Sequence, residues 1–572
     1  MAQPYPAGLL LPSDAYDTSR HQVMGRRVAG LQLARALVAD LQAGERLTLV
    51  GNSGSDLQQL AARLQPQLRA EAQLQLSTRL DGAALARLGC LHLPDPGLGH
   101  WCQLRSGQSP SAWSLTGVMH TLCSAGVTRA LEELLTAPLH PWDALVCTSR
   151  AGRQVVEAAL EGQHEALQRR FGVALPRPAG PQLPLIPLAI DPAPYDWRGR
   201  YGSRAEQRRA ARAQLQLPAD ALVVLFVGRL SFHSKAHPQP LYRALERLAR
   251  QSSQPVLLLE CGHLYNPAIG AAFDALAGQH GGLLVRRLGG LQPASEADKQ
   301  LALAAADVFC SAADNLQETF GLSLLEAMAA ELPVVASDWS GYRDLVEPGV
   351  CGLLVPTADA LAGAPLDPLE TNYRLGLLDY DTMVGLRSLA VVVDHTALHA
   401  ALGALQQNPQ QRAAMGLAGR QRLEQRFSAA VVARQYRQLW SELTARRQAA
   451  GPLPPEPVRV PYGRLFAGFA SQALNAGPWQ RSSSSTGAQV LLEPMQQPFA
   501  QHWCGAALPQ LVHWLASLPL EQPMGATALH VQLTALGIDP AQYRPLQACL
   551  LKLGVLETAP PQEARPAWNA PP

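Results

Sequence analysis

The chain has 572 residues, 47% hydrophobic and 16% charged, with a net charge of +2. That length exceeds one core, and domains of roughly 100–200 residues make about three the expectation. A near-neutral balance without basic runs gives no electrostatic footprint for nucleic acid, and no segment approaches the ~18 apolar residues of a membrane span.

The chain opens on "MAQPYPAGLLLPSDAYD", which has neither a basic leader region nor a long apolar stretch, so a cytoplasmic protein is expected, with peripheral contact at the inner membrane face left open. Asp14 and Asp17 could face an acceptor or cap a helix. "RLTLV" (46–50), "CLHL" (90–93), "ALVCT" (144–148) and "PLIPLA" (184–189) read as buried strands, brief and apolar on both faces. "VGNSGSD" (50–56) lacks the Lys-Ser/Thr of a phosphate loop and the third Gly of a dinucleotide fingerprint, and reads as a turn. A Pro- and Arg-rich connector at 191–209 divides two α/β halves. "LVVLFVG" (222–228), "VLLLE" (256–260), "DVFCS" (307–311), "PVVAS" (333–337) and "GLLVP" (352–356) are the strands of the second, with helical patterns between them as in βαβ units. An amphipathic stretch (429–443) and a Pro-rich linker (446–461) follow. In the tail, Arg544 and Lys552 face Glu521, Asp539 and Glu557, so a helix-turn-helix pattern there points to packing or protein contact, not DNA. The nine cysteines are odd in number and form no CxxC, so neither a disulfide framework nor a zinc site is indicated, and core thiols in a reducing compartment are expected.

Ligands of open α/β sheets bind at the carboxyl ends of strands. "LVVLFVG" runs into "RLSFHSK", which places Arg229 and Lys235 just past a strand end, where two cations suit a diphosphate or are ordinary surface charges. "DVFCSAADNLQETFGLSLLEAMA" leads from a strand through a polar loop into a helix opened by Phe320, Gly321 and Leu322. Gly admits close backbone approach, and the free N–H groups of a helix start attract anions. Glu318 precedes that entrance and Glu326 lies in the second turn, so the two carboxylates could hold the two ends of one ligand or be solvated. Asp379 and Asp381 in "DYD" have a metal-binding spacing but lie beyond the sheet, and a structural or acceptor-related role is expected of them. His233 and His237 lie four apart, yet Pro238 argues against a helix. Trp339 and Tyr342 are expected to pack their loop.

The segment "QETFGLSLLEAMAAELPVVASDWSGYRDLVEPGVCGLLVP" resembles the E-x7-E element of the family 4 retaining glycosyltransferases, with "FVGRLSFHSK" similar to their phosphate loop and "SAAVVARQYRQLW" to their closing helix. "MGRRVAG", with Gly25, resembles their N-terminal glycine loop, and "SLTGVMHTL", with His120, their N-domain histidine. The resemblance covers about residues 10–445. One departure is "SFHSKAHP", where relatives commonly place Gly after the Lys.

The resemblance implies the GT-B fold, an α/β arrangement of two Rossmann-like domains facing across a cleft: 1–205 on the acceptor side, 206–428 on the nucleotide-sugar side, a closing helix at 429–446, then a Pro-rich linker and small, mainly helical accessory domain at 447–572. It implies a retaining hexosyltransferase, the class that includes enzymes of polysaccharide biosynthesis, moving a sugar from a nucleotide-diphosphate donor to a glycan, lipid-linked saccharide or small-molecule acceptor. The alternatives are a non-catalytic nucleotide- or glycan-binding scaffold and a nucleotide-sugar epimerase. By position, Arg229 and Lys235 would neutralise the leaving diphosphate, Glu318 would bind donor-sugar hydroxyls, and His120 would align the hexose. Gly25, Phe320, Gly321 and Leu322 would hold sugar and phosphates, and Glu326 the ribose. No metal or other cofactor is expected, and no nucleic-acid partner.

Overall fold

The computed structural model describes residues 3–12, 15–16, 25–456, 459–471, 473–474, 477–483, 487–520 and 522–559. Asp14, Asp17 and His21 lie outside them. The chain divides into two compact units, residues 1–459 and 460–572.

The first unit holds two parallel sheets. In the N-terminal one, β1 (Gln3–Pro4) and β2 (Gly8–Leu11) pair in succession along one side of β3 (Glu45–Gly51), and β4 (Gln73–Ser77) pairs along the other. β2 then meets β5 (Cys90–His92), followed by β6 (Ser114–Val118) and β7 (Ala144–Val146). The second sheet is built from β8 (Leu222–Leu230), β9 (Val256–Leu264), β10 (Leu284–Leu288), β11 (Val308–Ser311), β12 (Val334–Ser337) and β13 (Gly352–Val355), in the order β10-β9-β8-β11-β12-β13. Each half therefore runs outward in one direction from its first long strand and then reverses, the doubly wound order of a Rossmann-like domain. The reversal falls between β2 and β5 in one sheet and between β8 and β11 in the other.

Alternation along the strands gives each sheet two cores. Val223, Leu225 and Val227 face one layer of helices while Leu222, Val224 and Phe226 face the opposite one. Leu9, Leu47 and Leu49 divide from Leu10, Val50 and Leu91 in the same way. The two crossings between halves are bonded to each other: Ile190 N donates to Phe427 O at 3.0 Å and Ala429 N to Ile190 O at 3.1 Å. The helix Ala429–Ala450 then returns to the N-terminal sheet, where Trp440 Nε1 donates to Thr116 Oγ1 at 3.0 Å. This is the GT-B fold.

Three strand expectations need correction, among them 256–260, which continues to Leu264 as β9. Residues 184–189 form no strand; Leu185 makes only an isolated bridge to Cys147, because successive prolines interrupt the ladder of donors. The strand at 222–228 continues to Leu230, in register with β9 up to Leu264. Gly228 has φ +154°, and a Cβ on its partner Gly262 would stand 1.7 Å from the Gly228 carbonyl oxygen. Two glycines face each other there, and the extension carries Arg229 to the rim of the sheet.

After β13 the chain makes an excursion. β14 (Thr357–Asp359) and β15 (Val391–Val393) pair antiparallel at its base, and the helices Pro368–Arg374 and Tyr380–Ser388 form its body. Arg387 clips the base with two bonds to Asp359 of 2.8 and 2.6 Å.

The second unit pairs β16 (Trp479–Arg481) antiparallel with β17 (Leu556–Thr558) and packs helices Gln497–Cys504, Leu508–Ser517, Ala526–Ala535 and Tyr543–Lys552 around Trp479, Leu511, Leu533 and Leu550. Among the described residues of the chain, no helix is long and apolar enough to cross a membrane.

Gly262→Ala is expected to cost about 1–3 kcal/mol through overpacking against backbone that cannot turn aside. A melt lowered by several degrees, with Gly281→Ala (open space around its Cβ) unchanged, checks this.

Candidate active site

The β8/β11 reversal leaves a crevice at the carboxyl ends of the second sheet, and the loops that follow these strands fill its rim. Lys235 comes from the loop after β8 and Glu318 from the loop after β11. Their side chains, each 14% exposed, form an ion pair with Nζ 2.5 Å from Oε2. Tyr342 OH lies 3.4 Å from the ammonium and 3.3 Å from the carboxylate, and shares a 2.8 Å bond with Ser311 Oγ. Burial disfavours the Lys235 charge, but the adjacent Glu318 carboxylate outweighs it and the ammonium titrates above its usual value. Burial likewise pushes the Glu318 carboxyl up, and Lys235 more than reverses this, leaving it below the usual range. Both partners are charged at neutral pH. The expectation that Tyr342 only packs its loop is half right: its ring is fully buried, and its hydroxyl joins the pair.

Arg229, at the end of β8, is half-buried, and among the described residues no carboxylate lies within ion-pair distance of it. Its Nη2 reaches only the Ser234 carbonyl, at 3.5 Å. Burial lowers its pKa, with Tyr380, Asp381 and Glu318 opposing from further off. A guanidinium held in this way is a standing site for an anion.

Gly321, at φ +112°, opens the helix Leu322–Ala329, and no side chain caps that helix. A Cβ on Gly321 would stand 2.5 Å from Tyr342 Cε1, so this position demands glycine for space and for backbone together. Phe320 N reaches Glu318 Oε1 at 3.4 Å. The hydroxyls of Ser234 and Ser323 are buried without a hydrogen-bond partner. Sequence reasoning passed over both, since a lone serine in a loop carries no signal until its surroundings are known.

Glu326 occupies the second turn of the same helix. It accepts from Lys299 Nζ at 2.7 Å and Tyr195 OH at 3.2 Å. The two glutamates thus belong to two clusters, Glu318 with Lys235 and Tyr342, Glu326 with Lys299 and Tyr195. Lys299 and Tyr195 come from the distant stretches 295–305 and 191–209, and no local pattern marks them.

The N-terminal half closes on this rim. Thr319 Oγ1 donates to His120 O at 2.9 Å, Ser149 Oγ donates to Thr319 O at 2.9 Å, and Arg150 pairs with Asp344. His120 therefore lies beside the loop that carries Glu318. Burial, then the charge of Arg26, lower its pKa to about 4, so the ring is neutral at pH 7. Gly25 is the exposed first residue of the helix Gly25–Asp40, and Ala29 and Gly30 of that helix line the same small cavity as His120.

The Asp379/Asp381 pair divides its work. Asp379 caps the helix Tyr380–Ser388, accepting from Thr382 N at 2.9 Å. Asp381 bonds to Tyr265 and lies 3.7 Å from His233 Nε2, above the loop that carries Lys235. Residues 231–238 are non-helical, as Pro238 requires.

The doubly wound pair of sheets thus gathers cations, carboxylates and an uncapped helix start at one reversal point of a GT-B fold. Residues 207–367 match the family of glycosyl transferases group 1. It is similar to a phosphatidyl-myo-inositol mannosyltransferase of Mycobacterium leprae, 43% identical over 90 residues, which cover 16% of this chain and 23% of that protein. It is also similar to a D-inositol 3-phosphate glycosyltransferase of Saccharomonospora viridis, 38% identical over 182 residues, which cover 30% and 40%. The chain thus spans less than half the length of these curated relatives. Among solved structures, the Anabaena protein HepE in complex with UDP and glucose aligns with a TM-score of 0.47 and 16% identity, over 77% of this chain and 100% of that one.

Behind the cation loop, Asp314 is buried. One carboxylate oxygen accepts from His237 N at 3.0 Å and the other has no partner. Burial raises its pKa to about 7, from 3.8 when exposed. A folded pKa above the unfolded one means its contribution to stability is complete below about pH 4 and is lost as pH rises through about 7. Asp314→Asn is therefore expected to flatten the decline in melting temperature between pH 5 and 8, as melts across that range will show.

Proposed function

We propose that the chain is a retaining glycosyltransferase that moves a hexosyl unit from a nucleotide-diphosphate sugar to a glycan, lipid-linked saccharide or small-molecule acceptor. The observation that carries this reading is Arg229: a half-buried cation without a carboxylate partner among the described residues, beside the buried Lys235–Glu318 pair and an uncapped helix start. A diphosphate supplies the missing charge.

In this reading Arg229 and Lys235 stabilise charge as it develops on the leaving phosphate, which is where a transferase gains most. They supply the charge that a divalent cation provides elsewhere, so no metal is required. Phe320, Gly321 and Leu322 present backbone to the phosphates and sugar, with the Ser323 hydroxyl beside them. Glu318 accepts from donor-sugar hydroxyls, and Lys235 keeps it ionised for that purpose. Glu326 takes the ribose, exchanging its present bonds from Lys299 and Tyr195 for those of the ribose hydroxyls. Neutral His120 touches the hexose from the N-terminal side, and Gly25 opens the helix that faces the diphosphate. Departure and attack on one face need positioning more than a carboxylate nucleophile, and both carboxylates are committed to other bonds.

The test is turnover of UDP-, GDP- and ADP-linked glucose and mannose, followed by release of the nucleoside diphosphate and by proton NMR of the product's anomeric centre. Turnover of one nucleotide family with retained configuration is expected; an inverted product, or no turnover of any donor, contradicts the proposal. Arg229→Gln should lower kcat/KM by about 10²–10³, or roughly 2.7–4 kcal/mol. Its melt should stay within a few degrees of wild type, because no carboxylate is left unpaired.

A further inference from the structure

The excursion between β14 and β15 lies on both halves of the candidate site. Tyr380 OH donates to Gln317 Oε1 at 3.1 Å and lies 3.3 Å from Cys123 Sγ. Ala125 N donates to Tyr373 OH at 3.0 Å, and Arg374 meets Glu132 at 3.4 Å. Between the excursion and these loops is a cavity of about 270 Å³. Its walls include Cys123, three residues after His120, and Leu316, two residues before Glu318. Most of its outer wall, from Pro368 onward, lies beyond the residues matched by the glycosyltransferase family.

We infer that this cavity is the acceptor pocket and that it takes an uncharged polyhydroxylated ring. The inference rests on the glycosyltransferase reading for the word acceptor and on the cavity's own lining for the chemistry. Its size lies just under the about 300–1,000 Å³ usual for small-molecule sites, which suits one ring. Leu316, Leu361, Leu369 and Met383 offer an apolar surface to the C–H face of a sugar. Tyr373 OH, Thr128 and the carboxylates of Asp367 and Glu370 stand among them to meet hydroxyls.

The charges exclude an anion. Arg387 is held by Asp359 through two bonds, and Arg374 by Glu370 at 2.8 Å as well as by Glu132. Asp367 is a further carboxylate at the wall, capping its helix through Glu370 N at 2.7 Å. A phosphate entering here would have to displace a carboxylate from each arginine and stay beside it, whereas a neutral ring displaces nothing.

The experiment is saturation-transfer NMR on the full chain. The neutral probes are methyl α-glucopyranoside, methyl α-mannopyranoside and myo-inositol, and inositol 3-phosphate is the anionic one. Ala364→Trp and Thr128→Phe fill the cavity from its two walls. A signal from at least one neutral probe, weakened tenfold or more in both variants, is expected. Binding of the anionic probe alone, no binding of any probe, or an unchanged neutral signal in both variants overturns the inference. Melting the same samples with UDP, GDP and ADP separates the two readings. A chain that binds the sugar in the cavity but no nucleotide would overturn the donor assignment and leave the pocket standing.

Discussion

The whole arrangement depends on one buried ion pair, Lys235 with Glu318. Each partner alone would be expensive to bury, and together they are tolerable only with near-ideal geometry and a further hydrogen bond. Tyr342 provides that bond, and Ser311 anchors Tyr342 in turn. The pair joins the loop after β8 to the loop after β11 and so closes the reversal point of the second sheet. Position 321 admits only glycine because the Tyr342 ring fills the space a side chain would need. Removing either charge would leave the other stranded in a buried loop.

Around this fixed centre the structure leaves polar groups unspent. Among the described residues, Arg229 has a carbonyl but no carboxylate, and the Ser234 and Ser323 hydroxyls have no partner. Native interiors satisfy nearly all such groups, so the two hydroxyls beside the cation loop and the helix start are free to meet a ligand. The N-terminal half adds a neutral histidine and a helix start, and the bonds through Thr319, Ser149 and Arg150 hold the two halves together over the cleft.

Much of this was legible in the sequence, for physical reasons. Strands buried on both faces announce themselves as apolar runs, and "LVVLFVG" and "PVVAS" became β8 and β12 within two residues. "LTLV" became β3 in the same way, but "PLIPLA" has the same composition and forms no strand, since apolarity does not report whether donors are present. The short strands β2 and β6 lie in "GLLL" and "SLTGV", too brief or too polar to stand out. In the candidate site, local order pointed to Arg229 and Lys235 at and just past the end of β8, and to Glu318 and the Gly321 entrance in the longer loop after β11. Lys299, Tyr195 and the Tyr380 wall were hidden because they reach the site through tertiary packing alone. Tyr342 was visible as an aromatic residue but not as a hydroxyl, a distinction that only its neighbours make.

The central claim is that this crevice holds a nucleoside diphosphate. Calorimetric titration of the full chain with UDP, GDP and ADP in turn, repeated on Lys235→Met/Glu318→Gln (which removes both charges and strands neither), tests it most directly. One nucleotide should bind the wild-type protein and bind the double variant at least tenfold more weakly. Equal affinity in both proteins, or no heat with any nucleotide, would contradict the account.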